Sequence, residues 1–510
     1  MEVELKLLVD AAGAQALRRH PLLKQFSRTA PHTLALSAIY FDTPDLLLRH
    51  SDVGLRVRRN NGIWTQTMKA GGSVAGGLHS RHEWESVVLG ATPDLPALRA
   101  LMAPDSPWAA LLDGSELAAS LQPIFTMEIR RTVWTLLMPE GDEVECVLDL
   151  GRVDCGDEHA PLCEIEFELK SGEPLRLYDL ALALQQDIPM RIGTASKAAR
   201  GYALYANEPR MAIKAEPIIL SKSLSVEQAF EQVVTACLTQ VLANEDGVAD
   251  SDDPEVLHQM RIGLRRLKLA FKLFRKVAFL PPALQQELAW LDRQLGPARD
   301  WDVLCQSTLP ALAVAMAPEP VPETMTRAAR KQAVDAHVLA AMSVASPRTT
   351  RFFLELGRWM QARSWRTETA PAVRQRQAGP IRPFAHRTLL RALERLCKRG
   401  TDLPHASASQ AHRARITAKN LRYASEFFAS LQPVKASRRY LTALANLQTT
   451  LGERNDAVVA DRLLHQLGEH GGTLAAGSAF ARGYLRGQEA DTMAGLGKQW
   501  QKFAVLHLPH

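Results

Sequence analysis

CEIEFELK, residues 163–170, decides how the first part of this 510-residue chain folds. Glu164, Glu166 and Glu168 alternate with Ile165, Phe167 and Leu169. Period two marks a β-strand, because successive side chains point to opposite faces. One face of this strand is acidic and the other apolar. A solvated edge strand gives the same alternation, so a single case decides little. The pattern recurs with unusual content. Glu2, Glu4 and Lys6 share a face opposite Val3, Leu5 and Leu7. Arg56 and Arg58 oppose Leu55 and Val57; Thr67 pairs with Lys69; Arg81, Glu83 and Glu85 share a face; Glu145 and Asp149 flank Val147. An ordinary wet face would carry more Ser, Thr, Asn and Gln. Here acids gather on some strands and bases on others.

A sheet closed on itself can turn such faces inward and line a bore with both charges. Its apolar outer faces then need cover, which the helical stretch around Tyr178 can supply. Charges cut off from bulk water must be paired or bound to ions. Clustered carboxylates call for hard divalent cations such as Mg²⁺, and opposing Arg and Lys suit phosphate oxygens. Metal and basic clamp together are the equipment of phosphoryl transfer.

Working outward, Asn61-Gly62, Gly71-Gly72, Gly76-Gly77 and Gly141-Asp142 punctuate the strands. After Leu175 the period becomes helical. Asn207 to Ser221 reads as a linker, and from about Ser225 the chain is helical almost throughout, interrupted at Pro318, Pro320 and Pro322 and again from Thr367 to Pro383. The fold class is α+β, an antiparallel β half followed by an all-α half. The expected domains are 1–205, a linker over 206–221, and 222–505, the last with repeats over about 222–365 and 380–505.

That duplication is explicit. His412, Arg415, Lys419 and Arg422 follow His258, Arg261, Arg265 and Lys268 at a constant offset of 154 residues; Leu295-Gly296 with Asp300 resembles Leu451-Gly452 with Asp456 at 156. On a helix His258, Arg261, Arg265, Lys268 and Lys272 form one stripe, and His412, Arg415, Lys419 and Arg422 form another. Like charges at this spacing repel, so two copies point to a bound anion rather than to a solvated face. Arg266 becomes Asn420 in the second copy, which thins its charge; His386, Arg387 and Arg391 are expected to add bases to the same groove. The stripes carry no stacking aromatics at their charged positions, which favours polyphosphate over nucleic acid.

Bulk properties agree. Residues 1–210 hold 21 Lys+Arg against 28 Asp+Glu, while the remainder holds 40 against 27. An acidic half joined to a basic half suggests metal in one and polyanion in the other. Six scattered cysteines without a CxxC pair make a disulfide framework unexpected, and a reducing cytoplasm fits. MEVELK has acids where a signal peptide needs bases, and no run reaches the roughly 18 apolar residues of a membrane span, so no membrane partner is expected.

The ExExK start, the YFDTPDLLL segment, the RVR strand, the late ExExE and Ser196-Lys197 resemble the CYTH family of triphosphate tunnel metalloenzymes over residues 1–205. That resemblance implies an eight-stranded antiparallel tunnel holding a triphosphate with Mg²⁺ or Mn²⁺. It implies metal binding by Glu2, Glu4, Glu166 and Glu168. Glu83, Glu85, Asp149 and Glu164 become candidates for positioning or deprotonating water. Lys6, Arg56, Arg58, Lys69, Arg81, Arg131 and Lys197 would hold phosphates, with Arg130 the competitor of Arg131. The HxxR-xxx-R/K helices and LGxxxD segments resemble the CHAD domain, over roughly 222–505. They imply polyphosphate binding along a basic groove between two bundles; the expected location is cytoplasmic, with association with polyphosphate granules. The expected reaction is metal-dependent hydrolysis of inorganic tripolyphosphate to pyrophosphate and phosphate. Thiamine triphosphatase or class IV adenylyl cyclase activity uses the same tunnel, and a non-catalytic polyphosphate-binding scaffold is the reading from another class.

Overall fold

The alternating segments form strands β1 (Glu2–Leu8), β2 (His32–Asp42), β3 (Val53–Asn60), β4 (Ile63–Ala75), β5 (Leu78–Val88), β6 (Gln122–Leu137), β7 (Glu143–Cys155) and β8 (Glu158–Ser171) in the computed structural model. It describes residues 2–208, 211–316, 323–367, 370–469, 471–506 and 508; the breaks expected at Pro318, Pro320 and Pro322 lie outside the described residues. The strands are antiparallel in the order β5-β4-β3-β2-β6-β7-β8-β1, and β1 pairs back onto β5 to close an eight-stranded barrel. A two-residue strand, β9 (Arg191–Ile192), adds to β1 at Leu7 and Leu8. Asn61 (φ 47°) and Gly62 (φ 86°) make the tight β3–β4 hairpin, as Asn-Gly pairs favour. Gly71-Gly72 does not end a strand as the sequence suggested. It forms a bulge inside β4, where a Cβ on Gly71 would stand 2.5 Å from the ring of Trp108.

The barrel's two faces follow the period-two pattern. Leu55, Val57, Met68 and Ala70 point outward and are buried with residues of three short helices, Leu95–Ala100, Pro107–Leu112 and Ser115–Ser120. The inward face is mostly charged, but on β2, β6 and β7 Leu36, Ala38, Tyr40, Phe125, Met127 and Val153 pack with Tyr202 of the Lys197–Tyr205 helix, which plugs the bore. The YFDTPDLLL segment anchors that plug. The fully buried carboxylate of Asp42 accepts from the backbone N–H groups of Thr43, Leu48 and Arg49 and from the Tyr202 hydroxyl at 2.7–2.9 Å.

The Leu175–Leu184 helix covers the outside as expected, with Tyr178 fully buried and donating to the Gly76 carbonyl. A further cover comes from far along the chain. Residues 345–364, expected at the end of the first helical repeat, belong to the same compact unit as residues 1–211. The Pro347–Gln361 helix lays Gly357 on the ring of Tyr178, and Thr350 Oγ1 donates to Met190 O at 2.6 Å. Its buried residues include Phe352, Phe353 and Leu356, an apolar stripe that needs a partner surface.

The second unit, residues 212–344 and 365–510, shows the duplication. The Pro254–Phe274 helix is capped by Asp253 and the Ala408–Phe427 helix by Ser407, again 154 residues apart. The partner helices Val226–Ala243 and Ile381–Gly400 place Phe230 and Phe384 at the same offset. The Thr367–Pro383 interruption contains a short helix, Pro371–Ala378. Among the described residues no helix is long and apolar enough to cross a membrane.

Candidate functional site

The bore encloses a cavity of about 290 Å³ lined by seven carboxylates and eight lysine and arginine side chains. Strand register explains its order. Lys6 lies across from Glu166, Glu4 from Glu168, and Glu145 from Glu168, while Arg56 faces Thr67 and Thr67 faces Glu85 on the opposite wall. One wall, β7, β8 and β1, is mainly acidic. The other, β3 and β4, is mainly basic.

Deep in the bore, acids and bases are already matched. Lys197 Nζ lies 2.8 Å from Asp149, 2.5 Å from Glu164 and 2.8 Å from Glu166. Lys6 Nζ is 2.5 Å from Glu166 and 3.3 Å from Glu164. Arg131 grips Asp149 through two bonds of 2.8 and 2.6 Å and reaches Glu166 at 3.2 Å. Burial alone would raise the Asp149 and Glu166 carboxyls; Lys197 and the neighbouring bases reverse this and hold both below their usual range. Burial likewise opposes the charge on Lys6, yet Glu164 and Glu166 lift it to about 12. The acid oxygens of Asp149, Glu164 and Glu166 approach within 4.8 Å of one another, close enough for a metal, but the space among them is taken by ammonium and guanidinium groups.

The shallower acids are different. Glu4, Glu168 and Glu145 sit directly across neighbouring strands, an arrangement of like charges that is unfavourable without a cation. Burial raises the Glu168 carboxyl, Lys170 at 2.7 Å works against this, and Glu2 and Glu145 push it up further. Glu2 pairs with Lys69, and Glu4 has Lys6 at 3.8 Å. This oxygen-only row fits a hard divalent ion better than the deep triad does. Facing it, Arg58 is pushed down to about 10 by burial and by the guanidiniums of Arg56 and Arg131, and stays charged at neutral pH. Crowded, desolvated cations of this kind are relieved by an anion.

The remaining expected residues also line the bore. Glu83 lies 3.6 Å from Lys69, Glu85 lies 3.6 Å from Arg58 and accepts from Thr67, and Arg81 lies 3.8 Å from Asp52. Arg131 rather than Arg130 turns inward; Arg130 is exposed. Tyr40, His79, Glu145 and Lys170 join the lining without having been singled out as site residues. His79 and Lys170 were within reach of the period-two rule, since they continue the Arg81 and Glu168 faces.

In the helical unit the two stripes do not stay whole. Arg261 donates to the carbonyls of Leu295 and Gly296 at 2.7 and 2.6 Å, closing a helix end. Lys268 pairs with Asp292 at 2.6 Å and Arg422 with Glu426 at 2.8 Å. Lys272 lines a different groove together with Arg387 and Arg391, so these last two do not extend the stripe; His386 is exposed on the same helix. His412 bonds Asn455 at 2.8 Å. What converges is His258, Arg265, Arg415 and Lys419. Burial, then Arg415 and Arg265, bring the Lys419 ammonium down to about 7; burial and Arg299 bring His258 to about 4. Buried His258 Nδ1 and Arg415 Nε find no hydrogen-bond partner among the described residues. Asp456 lies 3.6 Å from Arg415 and Asp300 3.1 Å from Arg462, which accounts for the two LGxxxD motifs.

Comparison with known proteins agrees with this geometry. The CYTH domain family matches residues 1–202 and the CHAD domain family residues 232–465. An inorganic triphosphatase of Haemophilus influenzae is 35% identical over 204 residues, 40% of this chain and 54% of that protein. A thiamine-triphosphatase of Macaca fascicularis is 30% identical over 164 residues, 31% of this chain and 64% of that protein. The chain thus spans about half to two thirds of the length of these relatives. The crystal structure of the CHAD domain from the plant Ricinus communis superposes with a TM-score of 0.53 at 37% identity, covering 59% of this chain and 99% of that one. The chain belongs to the CYTH and CHAD families, with a CYTH domain followed by a CHAD domain.

Proposed function

We propose that the barrel hydrolyses inorganic tripolyphosphate with the help of a divalent metal, and that the central basic cluster of the helical unit binds inorganic polyphosphate. One observation carries the first part: a row of carboxylates set directly across neighbouring strands faces crowded arginines across a cavity of about 290 Å³. A triphosphate with its metal reconciles the two walls. The cavity lies at the small end of the roughly 300–1,000 Å³ typical of organic-ligand pockets. Its lining holds one aromatic ring other than histidine, Tyr40, whose face is stacked on Phe125 at 4.6 Å. A base or thiazolium ring would find no platform there, which favours a bare triphosphate over ATP or thiamine triphosphate.

Glu2, Glu4 and Glu168, with Glu145 beside them, would hold Mg²⁺ or Mn²⁺. Such an ion neutralises phosphate oxygens and makes bound water more acidic. The chain's own residues supply the rest. Arg56, Arg58, Lys69 and Arg81 hold the phosphates in line on the basic wall. Arg131, fixed by Asp149, offers its guanidinium from the floor; Lys197 helps keep Asp149 and Glu166 ionised, and Lys6 and Lys197 hold Glu164 in place. Glu83 or Glu85, each within 3.6 Å of a base, takes the proton of the attacking water. Pyrophosphate and phosphate leave. For the helical unit, the unpartnered nitrogens of His258 and Arg415 and the suppressed charge of Lys419 support an anion site.

Phosphate release from tripolyphosphate, ATP, thiamine triphosphate and long polyphosphate, each with and without Mg²⁺, tests the reading. Tripolyphosphate should be turned over fastest, and EDTA should abolish turnover. Preference for ATP with formation of cyclic AMP would overturn it.

A further inference from the structure

The Ile381–Gly400 helix carries Arg387, Arg391, Arg395 and Arg399, an arginine every fourth residue. All four line a cleft of about 780 Å³ between this helix, the Ala408–Phe427 helix and the end of the Pro254–Phe274 helix. Arg275 and Arg413 line it too, and no acidic residue does. Among the described residues Arg387, Arg391 and Arg395 show no ion pair; Arg399 is fixed by the Arg413 carbonyl and the Thr417 hydroxyl.

The duplication shows that this cleft is not the default of the fold. At the 154-residue offset, Arg387, Arg391 and Arg395 correspond to Val233, Cys237 and Val241, all fully buried. Thr417 corresponds to Gly263, on which a Cβ would stand 2.7 Å from Val241. At these four positions the first repeat therefore seals the seam with small and apolar residues. The second places arginines where the seam would close and a threonine where the glycine allowed close approach. Like charges four apart on one helix repel, so the ladder costs stability unless an anion meets it.

The cleft is separate from the central cluster. Arg413 and Arg415 lie two residues apart, about 200° around the helix, and only Arg413 lines the cleft. Steps of four residues put the guanidiniums about 6 Å apart over about 18 Å. That row suits a linear polyanion with charge on every unit, and guanidinium forks suit phosphate oxygens. A nucleic-acid strand would also want a ring to stack on. The one aromatic residue in the lining, Phe384, stacks on Phe274 at 5.0 Å and meets Phe428 edge-on.

We propose that this cleft is a second polyphosphate site, engaged by a long chain beyond the segment held at the central cluster. The proposal rests on the polyphosphate reading above and adds a place and a chain-length dependence to it. The full-length protein would be titrated with a short and a long polyphosphate and with a single-stranded oligonucleotide. Three forms are compared: the wild type, Arg387→Ala/Arg391→Ala/Arg395→Ala, and Arg415→Ala/Lys419→Met. Engaging two sites on one ligand multiplies affinity by about 10²–10⁴. The triple variant should lose at least about tenfold of its affinity for the long chain and none for the short one. The central variant should lose the short chain and retain weakened binding of the long one. Replacing the three arginines by lysine should restore most of the lost affinity, which excludes a folding defect. Equal long-chain affinity in wild type and triple variant overturns this inference alone. A triple variant that loses only the oligonucleotide overturns it in favour of nucleic acid. A wild type that ignores both polyphosphates overturns the central reading as well.

Discussion

Gly357 offers a sharp test of how the barrel is built. It lies more than 150 residues beyond the last barrel strand, yet any Cβ there would overlap the buried ring of Tyr178. That ring cannot yield freely, because its hydroxyl donates to the Gly76 carbonyl at 3.1 Å in the β4–β5 turn. Gly357→Val therefore forces two losses. Overpacking a filled site costs about 1–3 kcal/mol, and breaking the buried hydrogen bond adds about 0.5–1.5 kcal/mol. At roughly 2–4 °C per kcal/mol for a unit of this size, the barrel transition should fall by roughly 3–18 °C. Calorimetry of the full-length protein separates this from the helical unit, whose transition should stay in place. Gly452→Val is the control, since a Cβ there meets open space. An unmoved barrel transition, or a fall confined to the helical one, would refute the assignment of residues 345–364 to the barrel.

Three further outcomes are expected. Lys197→Met leaves the buried Asp149, Glu164 and Glu166 short of a base and should cost about 3–5 kcal/mol in denaturant unfolding. In the wild type Asp149 and Glu166 titrate below their unfolded values, so their stabilisation is full above the ordinary carboxylate range and lost only as pH falls through the lowered folded values; acid unfolding should begin at higher pH in the variant. Lys419, at about 7 among Arg415, Arg265 and Asp456, gains its proton as pH falls through neutrality; polyphosphate affinity should weaken by up to about tenfold per pH unit above 7, and Lys419→Met should flatten that slope. Glu4→Gln or Glu168→Gln should abolish tripolyphosphate turnover while leaving polyphosphate retention by the helical unit unchanged, as read by phosphate release and by pull-down.

The barrel was readable because strand alternation is a local property: Glu164, Glu166 and Glu168 must share a face wherever the strand lies. Closure itself, and the pairing of Glu4 with Glu168, depend on register between distant strands and emerge only in the fold. The same limit explains the deep network. Sequence placed Glu166 beside Glu168 as a metal ligand, but the inward reach of Lys6 and Lys197 sets Glu166 among bases instead. Helical periodicity likewise tells which residues share a stripe and not what packs against them. Arg261 thus proves to serve carbonyls, and Lys268 an aspartate. The Pro347–Gln361 helix looks like its neighbours in sequence, and only its contacts place it with the barrel. The arginine ladder was within reach, since the same 154-residue offset sets Arg391 against Cys237.

Crystals grown with Mn²⁺ and a slowly hydrolysed triphosphate would test the central claim most directly, through the anomalous signal of the metal. An ion inside the barrel coordinated by Glu4 and Glu168, with phosphate oxygens on Arg56 and Arg58, is the expected result. Metal displacing the bases around Asp149, Glu164 and Glu166, or bound only outside the bore, would contradict it.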